Sequence, residues 1–426
     1  MKVVCLGGAG AMGSSCVYDL HKGNYFDEII IADASEDRAR KVIGLMDGDS
    51  RFSFVRLDAS DINSIESAIS GADLILDSLP YDFVDNVMEA ACRAGVSGVS
   101  INMVSDANSL AKYDSRLREK KKTVLLGNGG CATTCMLAVD QAKGFDEIDD
   151  IEFFWGMWRP ITHSTVGLTE TIIHDNGPCT RERSYWENGK IIDNIPPFGL
   201  SKEFEFPPPI GKQETYIIAH WEPETLSLVP LIKEKGTKRI FVRGIWHPTW
   251  TRLIRVMLEN GIYEAEPVQV KGKSVSVFDA LMSHIHRRYE ETFQYPAEIE
   301  KAVGFVPQCI LSVEIRGYRD GTPKKTTVHC RMPYPFFEGK KTTCPMEYGS
   351  YVGLPSSISL QMLSQGQVSV HGAMTIENSD ASPASFLSEL KKRGATFWYQ
   401  EYSGGPGPSS PSGPIYAGTS EQPKEH

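Results

Sequence analysis

Val3–Gly13 reads VVCLGGAGAMG, a short apolar run that passes directly into Gly8-Ala9-Gly10-Ala11-Met12-Gly13. This is the G-x-G-x-x-G spacing of a strand–turn–helix unit that cradles a dinucleotide pyrophosphate. Gly8 is expected to permit the tight turn out of the strand. Gly10 lets the backbone approach the phosphates, and Gly13 lets the following helix pack against the strand. Ala11 and Met12 open that helix, whose N-terminus presents N–H groups and a partial positive charge to an anion. The phosphate-binding residues are thus expected to be Gly8, Gly10, Ala11, Met12 and Gly13.

A second apolar run, Glu28–Ala32, ends at Asp33, 20 residues after Gly13. A carboxylate at that distance accepts hydrogen bonds from the adenosine ribose hydroxyls and repels a 2′-phosphate. NAD is therefore the expected cofactor, with NADP left possible because Arg38 and Arg40 follow within two turns. The plainer reading makes Asp33 a strand-end cap for a helix starting at Ser35-Glu36-Asp37.

From there short apolar runs alternate with helical stretches, as a doubly wound parallel sheet requires. Strands are expected at Lys2–Leu6, Glu28–Ala32, Ser53–Arg56, Leu74–Asp77, Gly98–Ile101 and Thr123–Leu126. Helices are expected between them: Met12–Lys22, Glu36–Met46, Ile62–Ser70, Phe83–Ala94 and Leu110–Lys121. Ser78, Leu79 and Pro80, at the carboxyl end of the fourth strand, fall where nicotinamide binds. Asp58 and Ala59, after the third, would flank the adenine.

Composition excludes several partners. The 426 residues carry 44 basic and 54 acidic side chains, a formal charge of −10, which argues against nucleic acid and anionic membranes. No apolar stretch approaches the roughly 18 residues that span a bilayer. The first apolar run is too short for a secretory signal and enters the phosphate loop at once. Nine cysteines, an odd number without a CxxC pair, fit reduced thiols in a cytoplasm. Cys131 and Cys135 stand four apart with nothing nearby in sequence to complete a metal set; both read as buried thiols, and no metal is expected.

Beyond Gly127 the chain becomes more aromatic and proline-punctuated. Asp150–Met157, Glu214–Ala219 and Arg239–Arg243 read as strands, and Trp250–Asn260 and Val277–His286 as helices. Leu311–Tyr318 and Thr326–Arg331 form a hairpin around Asp320-Gly321, a favoured tight turn. Ile358–Ser364 and Ala384–Arg393 are late helices, and the segment ending in SGGPGPSSPSGP is too poor in apolar residues to pack. The expected architecture is α/β: a Rossmann-type doubly wound parallel sheet with an inserted α+β substrate and dimerisation domain. Its parts are a dinucleotide-binding domain over 1–130, the α+β domain over 131–350, C-terminal helices returning to the first domain over 351–395, and a disordered tail over 396–426.

Several later segments carry a family likeness. Asp73–Pro80 with Ala91-Cys92-Arg93-Ala94-Gly95, Ser164–Leu168, His220–Leu226, Arg243 with His247, Glu266-Pro267-Val268, and Met346–Ser364 with Gly372 and Glu377 resemble the saccharopine reductase and lysine 6-dehydrogenase family. The likeness spans roughly residues 1–395. It departs from the family at four places. Gly98–Asn102 lacks the usual Asp after the fifth strand, and Gly127–Thr134 replaces a Pro-Gly loop. Trp246 stands for the glycine of R-x-x-G-H, and Gly372–Glu377 lacks a proline.

The resemblance implies hydride transfer between nicotinamide and a carbon bearing nitrogen, with an amino acid or polyamine as the small-molecule substrate. Asn102 falls on the cofactor side. The amino-acid carboxylate is best held by an arginine, whose planar fork bonds both oxygens: Arg243 first, Arg159 second. A histidine manages the proton near neutral pH; His220 and His247 are the candidates, with Glu222 to orient one or receive an ammonium. Thr165 and Tyr216 complete the substrate set. A carboxynorspermidine- or homospermidine-type polyamine enzyme is the rival activity, and a catalytically idle dinucleotide sensor the third reading. A homodimer paired through the second domain is expected from the resemblance.

Overall fold

The computed structural model describes residues 1–104, 106–158, 183–263, 266–292, 308–333 and 346–404. The first half follows the alternation closely. β1 (Lys2–Leu6), α1 (Ala11–Lys22), β2 (Glu28–Asp33), α2 (Glu36–Gly44), β3 (Phe52–Arg56), α3 (Ile62–Ile69), β4 (Leu74–Asp77), α4 (Val84–Ala94), β5 (Ser97–Ser100), α5 (Ala107–Glu119) and β6 (Thr123–Leu126) succeed one another. Each boundary lies within a few residues of its expected place. Side-chain caps explain several starts: Ser35, Asp61 and Asp106 each accept a first-turn N–H, of α2, α3 and α5 respectively.

The second half contributes α6 (Gly130–Ala142), β7 (Glu147–Trp158), β8 (Tyr185–Glu187), β9 (Lys190–Ile192), β10 (Lys202–Glu205) and β11 (Lys212–Ile217). There follow α7 (Glu222–Leu226), α8 (Pro230–Glu234), β12 (Arg239–Trp246), α9 (Pro248–Glu259), β13 (Val268–Val270), β14 (Lys273–Val275) and α10 (Val277–Thr292). The chain ends with β15 (Gln308–Arg319), β16 (Thr322–Arg331), α11 (Met346–Ser364), β17 (Gly372–Thr375), α12 (Pro383–Lys392) and β18 (Thr396–Ser403).

Two large sheets result. The first has seven strands in the order β17-β6-β5-β4-β1-β2-β3, every neighbouring pair parallel. Its topological switch falls between β1 and β4, whose carboxyl ends form the crevice of a doubly wound fold. The second has nine strands, with β10-β11-β12-β7-β15-β16-β18 as its main path and β8 and β9 added beside β12. Only β12 and β7 run parallel there.

Three features differ from the sequence reading. β17 adds a seventh strand to the first sheet; four residues between helices leave too short a pattern to read. Thr396–Ser403 is not tail: it pairs antiparallel with β16 along its whole length and closes the second sheet's edge. Residues 405–426 of the expected tail lie outside the described residues. The left-handed turn out of β1 falls at Gly7 (φ 71°), one residue before Gly8. A side chain at Gly7 would also press on the Ser78 carbonyl at 2.8 Å.

The hairpin stands as expected, with Asp320 and Gly321 both at positive φ in the turn between β15 and β16. α11 lies on α1, so closely that a side chain on Gly353 would meet the Cys16 backbone nitrogen at 2.9 Å. Asp19 of α1 anchors this contact, accepting from Ser357 at 2.6 Å and from Arg393 at 2.9 Å. The seven described cysteines are all buried free thiols. Among the described residues no helix is long and apolar enough to cross a membrane.

Candidate functional site

The first half of the site is the crevice at the carboxyl ends of the parallel strands. Gly10 caps α1 without any side-chain hydrogen bond, and the helix's first turn carries no acid. A side chain built on Gly10 would meet only the Gly7 carbonyl, at 3.1 Å, so the space beyond it is open to a phosphate. Gly13 is the reverse case: a β-carbon there would lie 2.3 Å from the Gly7 carbonyl and 2.5 Å from Ser78 Oγ. Helix and turn touch at that point, as the pattern requires. The residues present fit a dinucleotide.

The carboxyl end of β4 is fixed by a buried carboxyl. Asp77 accepts from Ser100 Oγ at 2.6 Å and from the Leu79 N–H at 3.1 Å, and burial pushes its pKa up to about 6. Ser78 Oγ donates to the Leu6 carbonyl (2.8 Å), and Asn102 donates to the Leu79 carbonyl (2.9 Å). Ser78, Leu79, Pro80 and Asn102 thus form one braced turn facing the glycine loop. Asp33 is buried at the end of β2; its Oδ1 accepts from the Ser35 N–H at 3.0 Å and from Arg38 at 3.2 Å. Asp33 thus braces the turn ahead of α2, while Ser35 is the helix cap. Asp58 is held below the usual carboxylate range by Ser60, and the Ala59 carbonyl accepts from Asn86.

The second half of the site forms where β6 ends. Gly127, Asn128, Gly129 and Gly130 lead into α6, and the N–H of Gly127 donates to the Asn102 carbonyl at 2.8 Å. Fully buried Asn128 is gripped from α11, its side-chain oxygen by Ser359 at 2.5 Å and its backbone carbonyl by Ser356. Two indoles occupy the space that side chains on this loop would need. A β-carbon on Gly127 would lie 2.7 Å from Trp221 Nε1, and one on Gly130 would lie 2.6 Å from the Trp155 ring.

His220 sits between those indoles. Its ring meets Trp155 edge-on at 4.6 Å and lies nearly parallel to Trp221 at 5.7 Å. Its Nδ1 faces the Glu222 carboxylate at 3.1 and 3.3 Å and Cys131 Sγ at 3.5 Å. All three residues are buried, Glu222 completely. Desolvation pushes the Cys131 thiol up to about 12, and burial likewise raises Glu377, which sits beside Cys135 one turn along α6. This is a buried, polar cluster beside the loop that follows β6.

The other expected residues lie elsewhere. Alternation along β12 sends Ile240, Val242 and Trp246 into the core shared with α6 and Trp155, and sends Ile245 into a cluster on the opposite face. Arg243 and Tyr216 belong to that opposite face. Arg243 is already engaged there, with Glu152 at 2.9 Å and with the Leu200 carbonyl. Tyr216 donates to Glu214 at 2.6 Å and accepts from Arg255 at 3.2 Å. His247 caps α9 by accepting the Thr249 N–H and packs on Trp158; burial, then Arg252, lowers its pKa. Arg159 and Thr165 lie outside the described residues. Sequence reading missed Trp155, Trp221, Cys131 and Glu377 as members of the His220 cluster. The signal available was the family's Pro-Gly loop replaced by glycines, which marks a place where something large approaches the backbone.

A Rossmann-type domain with this crevice defines a nicotinamide dinucleotide-binding fold. Residues 3–125 match the family model described as saccharopine dehydrogenase NADP binding domain. Two solved structures share the whole architecture. Saccharopine dehydrogenase (L-Glu forming) from Saccharomyces cerevisiae is 14% identical with a TM-score of 0.60, over 94% of this chain and 99% of that one. Homospermidine synthase from Legionella pneumophila, in complex with NAD, is 11% identical with a TM-score of 0.55, over 93% of this chain and 91% of that one.

Proposed function

We propose that the protein is an NAD(P)-dependent oxidoreductase acting on the C–N bond of an amino acid, by amine oxidation or imine reduction. The observation that carries this reading is the His220–Glu222 pair, held dry between Trp155 and Trp221 against the loop that follows β6. When bound, the nicotinamide supplies or accepts the hydride. The protein's own tasks are to hold the reacting carbon, exclude water and move one proton. His220 is the group for the proton, and Glu222 fixes its orientation from 3.1 Å. The two indoles wall off solvent, which strengthens each charge interaction inside. Arg159, directly after β7, is the candidate for the substrate carboxylate, since Arg243 is committed on the far face. A homodimer built on the second sheet and a cytoplasmic setting belong to the same reading.

A polyamine substrate is favoured by one specific observation: two carboxyl groups are buried in this region, Glu222 in the cluster and Glu377 beside Cys135 one turn along α6. The test is the change in nicotinamide absorbance with lysine, saccharopine, aminoadipate semialdehyde plus glutamate, and diamine-derived imines, for wild type and His220→Gln. Turnover with one of the amino-acid substrates, cut at least about 100-fold in the variant while NADPH still binds, is the expected result. Turnover only with polyamines transfers the assignment to that class. Tight NADPH binding with no turnover at all leaves the idle sensor.

A further inference from the structure

Cys131, His220 and Glu222 come from separate parts of the chain, one at the start of α6 and two at the start of α7. Their donor atoms nevertheless all lie within 4.8 Å of one another. We propose that these three side chains form a binding site for a zinc-class divalent cation, with a fourth position left for water or a Lewis-basic substrate atom.

The distances carry the argument. Zinc sits about 2.3 Å from cysteine sulfur and about 2.0–2.2 Å from histidine nitrogen and carboxylate oxygen. Tetrahedral angles then separate sulfur from nitrogen by about 3.5 Å and nitrogen from oxygen by about 3.3 Å. The cluster has Sγ···Nδ1 at 3.5 Å and Nδ1···Oε at 3.1 and 3.3 Å. Two of the three edges thus have the lengths of that polyhedron, and the third, from Sγ to the carboxylate, lies within 4.8 Å.

One imidazole nitrogen faces both a thiol and a carboxylate, and the thiol also hydrogen-bonds that carboxylate, so three donor groups from two distant parts of the chain converge on one point. A cation there would be ligated by all three. It also answers the charge: Glu222 has no exposed surface, and His220 is its one ion-pair partner among the described residues. Buried carboxylates are retained when paired or metal-bound. A sulfur, nitrogen and oxygen set favours zinc over magnesium or calcium, which prefer all-oxygen shells. Three protein ligands with an open position is the stoichiometry of catalytic zinc sites. Trp155 and Trp221 supply the apolar shell around it.

The cation would occupy the Nδ1–carboxylate contact that the proton-transfer reading uses, so the two are alternatives for the same atoms, and they are told apart because metal binding is read without substrate. The purified full-length protein is stripped with chelator and titrated with Co²⁺, then with Zn²⁺ as competitor. Expected are one Co²⁺ per chain, a thiolate-to-cobalt charge-transfer band, and its displacement by Zn²⁺. Cys131→Ser is expected to lose the band, and Glu222→Gln to weaken Co²⁺ binding about 10–100-fold, both with NADPH binding retained. Cys135→Ala is expected to keep the band. Wild-type protein that binds NADPH but takes up no stoichiometric Co²⁺ overturns the proposal, whatever the variants do. So does a band that survives in Cys131→Ser or vanishes in Cys135→Ala.

Discussion

Asp77→Asn is the perturbation whose size the structure states most directly. The carboxyl is buried at the end of β4, accepts from Ser100 Oγ and the Leu79 N–H, and has its pKa raised by burial from 3.8 to about 6. In the unfolded chain it ionises near pH 3.8; in the folded protein it holds its proton until about pH 6. Between those values the folded state binds the extra proton, so stability falls as pH rises. Below the window the group adds no penalty, and above it the penalty is complete. The 2.2-unit difference, 6 minus 3.8, corresponds to about 3 kcal/mol at 1.36 kcal/mol per unit. Asparagine keeps the shape, can accept the Leu79 N–H and donate to Ser100, and does not titrate. The variant should therefore gain on wild type by about 2 kcal/mol between pH 4.5 and 7.5, the part of the window above pH 4.5. Urea unfolding of both proteins across that range measures the difference. A difference that stays flat with pH, or that moves against the variant, refutes the argument that Asp77 is desolvated in the folded protein.

Two further outcomes follow from other buried charges. Arg393→Met strands Asp19, which then keeps only its Ser357 hydrogen bond, so α1, α11 and α12 lose their common anchor; a loss of about 3–5 kcal/mol in unfolding free energy is expected. A loss below 1 kcal/mol in the same urea experiment would show the pair to be dispensable. Asp33→Ala removes the carboxylate at the end of β2 and frees Arg38 toward the adenosine side, so the NADH-to-NADPH affinity ratio should fall at least about tenfold by fluorescence titration. An unchanged ratio means that Asp33 serves only the turn into α2.

The parallel sheet was legible because each of its elements announces itself locally. Apolar runs of four to six residues, the Ser35-Glu36-Asp37 helix start and glycines at fixed offsets all act within a few positions of one another, whereas the Asp106 cap, which starts α5 three residues ahead of Leu110, was not read. β18 was not legible for the opposite reason. Thr396–Ser403 mixes polar and aromatic residues, and only its partner β16 makes it a strand. The His220 cluster lies further still from local rules, since Cys131 and His220 are 89 positions apart. Arg243 shows the limit of motif logic most clearly. Its residue type was right for holding a carboxylate, but strand alternation set its face, and a step of one residue along β12 reverses the direction of a side chain.

The family departures that looked in sequence like losses belong to a single physical exchange. Where the sequence resemblance leads to the expectation of a Pro-Gly loop, this chain carries Gly127 and Gly130, and the space their side chains would fill holds Trp221 and Trp155. Where it leads to the expectation of glycine before the histidine of R-x-x-G-H, this chain carries Trp246, and its ring lies where a side chain on Gly244 would need to be, 2.3 Å from that β-carbon. Bulk has moved from the loops to the aromatic rings, and the close packing of the interior is kept. Two of the three indoles end against His220. Each indole without its glycine overpacks and each glycine without its indole leaves a void, so packing alone requires the two to occur together. The pairing is therefore a constraint of the interior first, and what the rings enclose is decided by the turnover and metal-binding measurements on the His220 cluster.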